Sequence, residues 1–562
     1  MSRGVRVQKI TSLVQRIQTE DTNRKIALEH SPPPVNSMLY AAKRESRRLD
    51  DLETLLLEQQ AAIERDIARS HNSMQPIFRL PTEVLAQIAQ TVASFLDGTL
   101  KASLRPSATR LPLSQSFFSF NLACRRMRTI AADTPRCWTN VVVLITDESV
   151  TLPNVLKGHL RRSKGCLFRL IIYVNAMHSS RAMLRNVLSS IGPHAPRCRY
   201  IELCSGLRRF ELAQVAETIR DLHWNYPSLR QVKFLDNTQS PNYEDIRFAP
   251  FWTQTDAQIE SFDMEFQGGD EVLDPELSLN DLQLPENTLK RLRIHAGLSK
   301  LITIGLARRC GLLEYFEWYS EEDDPPIDTE PLLMPCLKTL RLAGPGLMAG
   351  FPPFNAPVCE QICAHEIWEE SRMWDEEAEW FLFRTPGSLA SFPRLKRISL
   401  FHPGGFTPKL RDFLLSHPLL EEILIRRPNF EDDRLTWIHG QFELFDGLAL
   451  ADINRESPQP MRQVPFLPSL RIIWYEPAPD QWNEWKYFTG YGAGDKAPNG
   501  FIVAMVNAIS RLLVLRASVT VNLRLSLSED KEIPQEIRDL SKKYGERLVV
   551  SRGPLLLDWE KL

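Results

Sequence analysis

The sequence predicts an α/β protein: N-terminal helices and a small all-α module, followed by a solenoid of α/β repeats with a parallel sheet. Three observations carry this reading. A motif of the form apolar-x-x-apolar-x-apolar recurs nine times between Cys198 and Tyr475. Helical apolar spacing precedes several of these motifs. Upstream, residues 77–143 hold two or three short amphipathic helices, too few to cover their own apolar stripes.

Residues 1–38 carry a helical stripe (Val7, Ile10, Leu13, Val14, Ile17) that stops at Pro32-Pro33-Pro34, and are expected to be partly helical or disordered. Residues 39–74 read as one charged helix without Pro or Gly. Its apolar positions Leu49, Leu52, Leu56, Ile63 and Ile67 step by three, four and seven residues. That spacing fits a short coiled-coil seam or a helix packed on the next module; Gln59 and Asp66, on d positions, favour the second.

Residues 75–145 read as the all-α module. Pro81 suits a first helical turn, where its missing N–H costs nothing. Glu83 places negative charge near the positive helix end. Val84, Leu85, Ile88 and Val92 then share one face. Asp97 to Ser116 reads as a polar loop, and Phe117, Phe120, Ala123, Met127, Ile130 and Ala131 mark a second helix that breaks before Pro135.

Residues 146–562 are assigned to the repeats. The motifs start at Cys198, Leu229, Ile259, Leu289, Leu313, Leu337, Leu395, Leu420 and Leu470, which lie 31, 30, 30, 24, 24, 58, 25 and 50 residues apart. Each long gap is near twice a unit and is expected to hold a degenerate or looped-out repeat; Cys359-Ile362-Ala364 fits the first. Alternation inside the motif signals a strand. The run Leu212, Val215, Ala216, Ile219, Leu222 before Pro227, and Leu410, Phe413, Leu414 before Pro418, signal helices. One strand and one helix per unit give parallel strands joined by crossovers, each unit burying its face on its neighbours, as in a leucine-rich-repeat-like solenoid. Val519 to Leu527 alternate strictly, and a helix and a strand to Val550 would close the stack.

Two stretches of the module together resemble a known family. Leu80-Pro81-x-Glu83-Val84-Leu85-x-x-Ile88 resembles the opening of an F-box, and Asn121 to Arg128 with Thr134-Pro135-Arg136-Cys137-Trp138 resembles its end. With a helix before and Leu-rich repeats after, the chain resembles F-box proteins of mushroom-forming fungi. The resemblance implies docking onto the Skp-type adaptor of a cullin-based ubiquitin ligase, with the repeats selecting a target protein. On the matching positions, Leu80, Pro81, Val84, Leu85 and Ile88 would be the first adaptor contacts, and Leu122, Cys124, Met127 and Trp138 would belong to the second half. Two departures stand out: Asp97 to Ser116 exceeds the family's usual linker, and Met127 stands where the family often has Trp.

In the repeat strands the variable positions face away from the core, onto the concave surface of the sheet. They present Arg230, Lys233, Lys290, Arg291, Arg293, Lys338, Arg341, Lys396 and Arg397, against Glu314, Glu317, Glu421 and Glu422, with Tyr315 and Trp474 as candidate anchors. Two readings fit: a mainly basic face that captures an acidic or phosphorylated protein segment, or an ordinary solvated sheet face.

No catalytic, metal or cofactor site emerges. His365-Glu366-Ile367-Trp368-Glu369 puts Glu369 in the place of the second histidine of a zinc-protease motif. Cys359, Cys363 and His365 are close in sequence, but alternation puts Cys359 in the core and the others on the opposite face. The glycines of Gly490 to Lys496 lack phosphate-loop spacing. Lys and Arg number 68 against 70 Asp and Glu, a net charge of −2, which gives no overall field for nucleic acid or an anionic membrane. Nine scattered cysteines suit reduced thiols of cytosol or nucleus. The apolar run Phe501 to Leu515 is shorter than the ~20 residues of a membrane span and is broken by Asn507 and Arg511.

Overall fold

The computed structural model describes residues 35–74, 76–94, 120, 123–146, 153–175, 181–205, 210–236, 251–254, 257–266, 284–295, 300–319, 330–343, 354–365, 392–401, 408–426, 445, 448, 467–476, 500–525 and 532–552, with positions 15, 18–20, 22 and 23. The chain divides into two compact units, Met1–Leu85 and Ala86–Leu562.

The first unit is dominated by one uninterrupted helix, α1 (Val35–Met74), followed by a 3-10 turn at Pro76–Arg79. The stripe read as packed is open: Leu49, Leu56, Ile63 and Ile67 are 48–60% exposed. Pro81 precedes α2 (Thr82–Ser94), and the division between the two compact units falls within this helix.

Local bonding ties the segment Arg125–Trp138 to the start of the sheet. In α3 (Arg125–Asp133) the Cys124 thiol caps the amino end, accepting from the Met127 N–H at 3.4 Å. The Thr134 hydroxyl closes the other end on the Ile130 carbonyl at 2.6 Å. A 3-10 turn (Pro135–Trp138) leads directly into β1 (Asn140–Thr146), and the Asn140 amide donates to the Ala93 carbonyl at 3.1 Å. Trp138 packs edge-on against His159 of α4 (Pro153–Arg162), ring centroids 5.1 Å apart. Trp138 is thereby packed on the first crossover helix.

The sheet has 14 strands, all parallel and arranged in chain order. After β1 come β2 (Phe168–Asn175), β3 (Cys198–Ser205), β4 (Gln231–Asp236), β5 (Ser261–Phe266), β6 (Arg291–His295) and β7 (Tyr315–Tyr319). The second half comprises β8 (Thr339–Ala343), β9 (Gln361–His365), β10 (Arg397–Phe401), β11 (Glu422–Arg426), β12 (Ile472–Glu476), β13 (Thr520–Leu525) and β14 (Leu548–Arg552). All nine expected motifs form strands, and β9 is the Cys359 unit proposed for the first gap. The second gap differs: Ile423 of β11 is in register with Ile473 of β12, so no strand intervenes. That segment supplies core side chains instead, Phe445 stacking edge-on against Tyr475 at 5.2 Å. The sheet also begins two strands earlier than the nine motifs, at Asn140–Thr146 and Phe168–Asn175, where the apolar runs Val141–Ile145 and Leu170–Val174 mask the spacing.

Among the described residues, the crossovers hold α4, α5 (Arg181–Ser189), α6 (Phe210–Asp221), α7 (Lys300–Arg309), α8 (Pro408–Leu415), α9 (Gly500–Leu515) and α10 (Gln535–Tyr544). After β4 the described part of the crossover is a 3-10 turn, Phe251–Gln254, so units do not all repeat one strand and one helix. These elements share one continuous buried cluster with the inward positions of the strands, from Val141 and Leu170 to Leu523 and Leu548. Burial of this kind, rather than helix propensity, holds short helices in place. No helix among the described residues is long and apolar enough to cross a membrane.

Candidate functional site

The residues expected to meet an adaptor fall into two groups. Leu85 is fully buried, and Met127 and Trp138 are only 3% and 7% exposed. The Trp138 indole N–H donates to the Ala131 carbonyl at 2.7 Å, and the Arg162 guanidinium lies 4.7 Å from its ring centre. These side chains hold the chain together from within and cannot serve as direct contacts. Leu80, Val84, Ile88 and Cys124 are half-buried and Pro81 is exposed. Ile77, just ahead of them, is exposed as well. Leu122 lies outside the described residues.

On the sheet face opposite the helices, strand register brings one side chain per strand into a transverse row. Across β3 to β8 that row reads Glu202, Lys233, Asp263, Arg293, Glu317, Arg341, alternating in sign at every step. Lys233 lies 3.5 Å from Asp263 and 3.0 Å from Glu265. Arg293 lies 3.6, 3.3 and 3.2 Å from Asp263, Glu265 and Glu317. His295 donates to Glu317 at 2.8 Å, and Arg341 sits 3.6 Å from the same carboxylate. Burial opposes the charged form of Glu317. The His295 hydrogen bond and the charges of Arg293 and Arg341 outweigh it, holding the carboxyl well below the usual carboxylate range.

This differs from a mainly basic capture surface. Lys233, Arg293 and Arg341 are neutralised by acids on neighbouring strands, Asp263 and Glu265 of β5 and Glu317 of β7. Tyr315 is buried, donates its hydroxyl to Glu317 and accepts from Arg341 at 3.1 Å, while Arg291 stacks over its ring at 4.1 Å. Tyr315 is therefore a brace and not an open anchor. Arg397 pairs with Glu422 at 3.2 Å. The Trp474 indole N–H reaches the same glutamate at 3.4 Å and stays half-exposed, with Ile472 and Asn522 half-exposed beside it and Val549 exposed on β14.

A second row runs along the residues that lead into the strands. Each of their carbonyls accepts two successive N–H groups of the next strand: Arg230 O from Glu260 and Ser261 at 2.7 and 3.0 Å, Glu260 O from Lys290 and Arg291 at 2.8 and 2.9 Å. The same backbone pattern continues to Arg471 and fixes nine residues in line: Arg230, Glu260, Lys290, Glu314, Lys338, Glu360, Lys396, Glu421, Arg471. Their signs alternate throughout. Ion pairs join Arg230 to Glu260 at 3.6 Å, Lys290 to Glu260 at 3.5 Å, Lys338 to Glu314 at 2.5 Å and Lys396 to Glu360 at 2.9 Å. From Arg230 to Lys396 these side chains are 30–64% exposed.

Cys359 and Cys363 are both fully buried, and burial pushes the Cys359 thiol up to about 12. No metal-holding group of His, Cys, Asp and Glu occurs among the described residues. Glu366 to Glu369 and Gly490 to Lys496 lie outside the described residues. Neither a protein-family model nor a curated protein sequence matches the chain.

Proposed function

We propose that the chain is a non-catalytic receptor that docks the Skp-type adaptor of a cullin-based ubiquitin ligase and presents a target protein on a leucine-rich-repeat-like solenoid. The observation that carries the docking half is the open side of the Pro81 helix. Ile77 and Pro81 are exposed, and Leu80, Val84 and Ile88 are half-buried. An apolar strip of that kind is what a helical partner covers. The target half is supported by a long parallel sheet in chain order whose last strands keep half-exposed side chains opposite the helices. Its charged middle is self-paired, which argues against capture by net positive charge. Half-exposed Trp474, with Ile472, Asn522 and Val549, is the better target contact, Trp being enriched where binding energy concentrates.

The test is co-elution of the full chain with a purified Skp-type adaptor. Ile77→Asp and Ile88→Asp are each expected to weaken the complex by about 30-fold or more, the loss of a central contact, with the far-UV spectrum unchanged. Absence of a complex with the unaltered chain would remove the ligase reading. A scaffold without ligase link is the second reading, favoured by the exposed stripe of α1 at Leu49, Leu56, Ile63 and Ile67.

A further inference from the structure

The lead-in row is complementary to itself, and we propose that it joins two copies of the chain in an antiparallel, two-fold-symmetric dimer. Neighbouring strands are about 4.8 Å apart, so like charges in the row recur about every 9.6 Å. Adjacent opposite charges cancel one another's field at a distance, so the row cannot steer a generally acidic or basic partner. Only a surface with the same period gains at contact, and the commensurate surface is the row itself.

A closed pair of identical chains is related by a two-fold axis, and contacts across it are reciprocal. An axis between Lys338 and Glu360 sets each of these against the other in the second copy. The same operation sets Glu314 against Lys396, Lys290 against Glu421, and Glu260 against Arg471. Every pair is opposite in sign and each forms twice. Beyond them Arg230 faces the lead-in position of β13, the uncharged Val519, so no like charges meet at the ends. Moving the axis one strand earlier, between Glu314 and Lys338, also pairs opposite signs but brings Arg199, which leads into β3, against Arg471. The first arrangement is favoured, and it places Lys338 and Glu360, 64% and 51% exposed, at its centre. The contact is independent of adaptor docking.

The test is sedimentation equilibrium of the full chain at about 0.05 M and about 0.5 M salt, where the screening length is longer and shorter than the row's period respectively. A dimer is expected at low salt, with a dissociation constant at least about tenfold higher at high salt. Glu314→Lys sets like charges against Lys396 of the second copy and is expected to weaken the dimer at least about tenfold. Adding Lys396→Glu restores that pair across the interface while spoiling alternation at both positions within each chain. Dimerisation should therefore return although thermal stability does not. A chain that stays monomeric at low salt, or a double variant no better than the single one, overturns the proposal. So does a dimer indifferent to salt and to Glu314→Lys, an outcome that would assign association to the open stripe of α1 instead.

Discussion

Arg293 is the residue on which most of the sheet-face charges converge. It touches three carboxylates from two neighbouring strands while its side chain is only 23% exposed. Removing it leaves Asp263, Glu265 and Glu317 with fewer cations than charges to balance, so Arg293→Met is expected to cost about 2–3 kcal/mol in urea unfolding. Lys290→Met, on the exposed lead-in row, should cost under about 1 kcal/mol. The same cluster sets an acid limit. Glu317 has a depressed folded pKa, so its stabilisation is full above the ordinary glutamate value of about 4.3 and drains as pH falls below it. His159 acts in a milder window. Burial first, then the nearby Arg162 charge, lowers its pKa from 6.5 to about 4, so the unfolded chain takes up a proton across that window and the folded chain does not. Stability is expected to fall as pH drops from 6.5 to about 4, by up to about 3 kcal/mol, and His159→Gln should flatten that slope. An unchanged slope in the variant would assign it to other groups.

At the scale of elements, strands were legible wherever the spaced motif held, because a side chain buried on a parallel sheet must recur at positions one, four and six. The Cys359 unit was readable for the same reason. Continuous apolar runs such as Val141 to Ile145 were not, since burial on both faces erases alternation: Val142, Leu144, Ile171, Tyr173, Cys204 and Leu235 form a second buried cluster on the opposite face. The long gap before Leu470 fits a degenerate or a looped-out repeat equally. Length alone does not distinguish a repeat from an insertion, and pairing of β11 with β12 decides for insertion. Phe445 is nevertheless fully buried against Tyr475, so Phe445→Ala is expected to destabilise the chain by about 3–5 kcal/mol, despite lying in no strand. A loss under 1 kcal/mol, measured by denaturant midpoint, would show that this segment is not part of the core. Among the adaptor-type residues, the helix starting at Pro81 was legible from its caps and spacing. Burial of Trp138 was not, because it depends on His159 of α4.

For the whole molecule, the two charge rows run in phase. From β4 to β8 the lead-in residue and the row residue of each strand carry one sign: Arg230 and Lys233, then Glu260 and Asp263, then Lys290 and Arg293, then Glu314 and Glu317, then Lys338 and Arg341. In a stacked-repeat protein, stability is roughly a sum of unit and nearest-neighbour contributions, so sign becomes a property of each interface between units. Cutting out one unit must bring like charges together, whereas cutting out two restores the alternation. Excision of residues 313–336 places Arg293 beside Arg341 and Lys290 beside Lys338 on a partly buried face. Excision of residues 313–358 removes more core but places Lys290 beside Glu360, Arg293 beside the neutral Cys363, and Leu292 beside Ile362, so no like charges meet. The longer deletion is therefore expected to keep the higher urea midpoint, and the gap between the two should narrow in high salt as the like-charge repulsion is screened. A shorter deletion that proves the more stable at every salt concentration would mean that apolar stacking alone fixes which units can be neighbours.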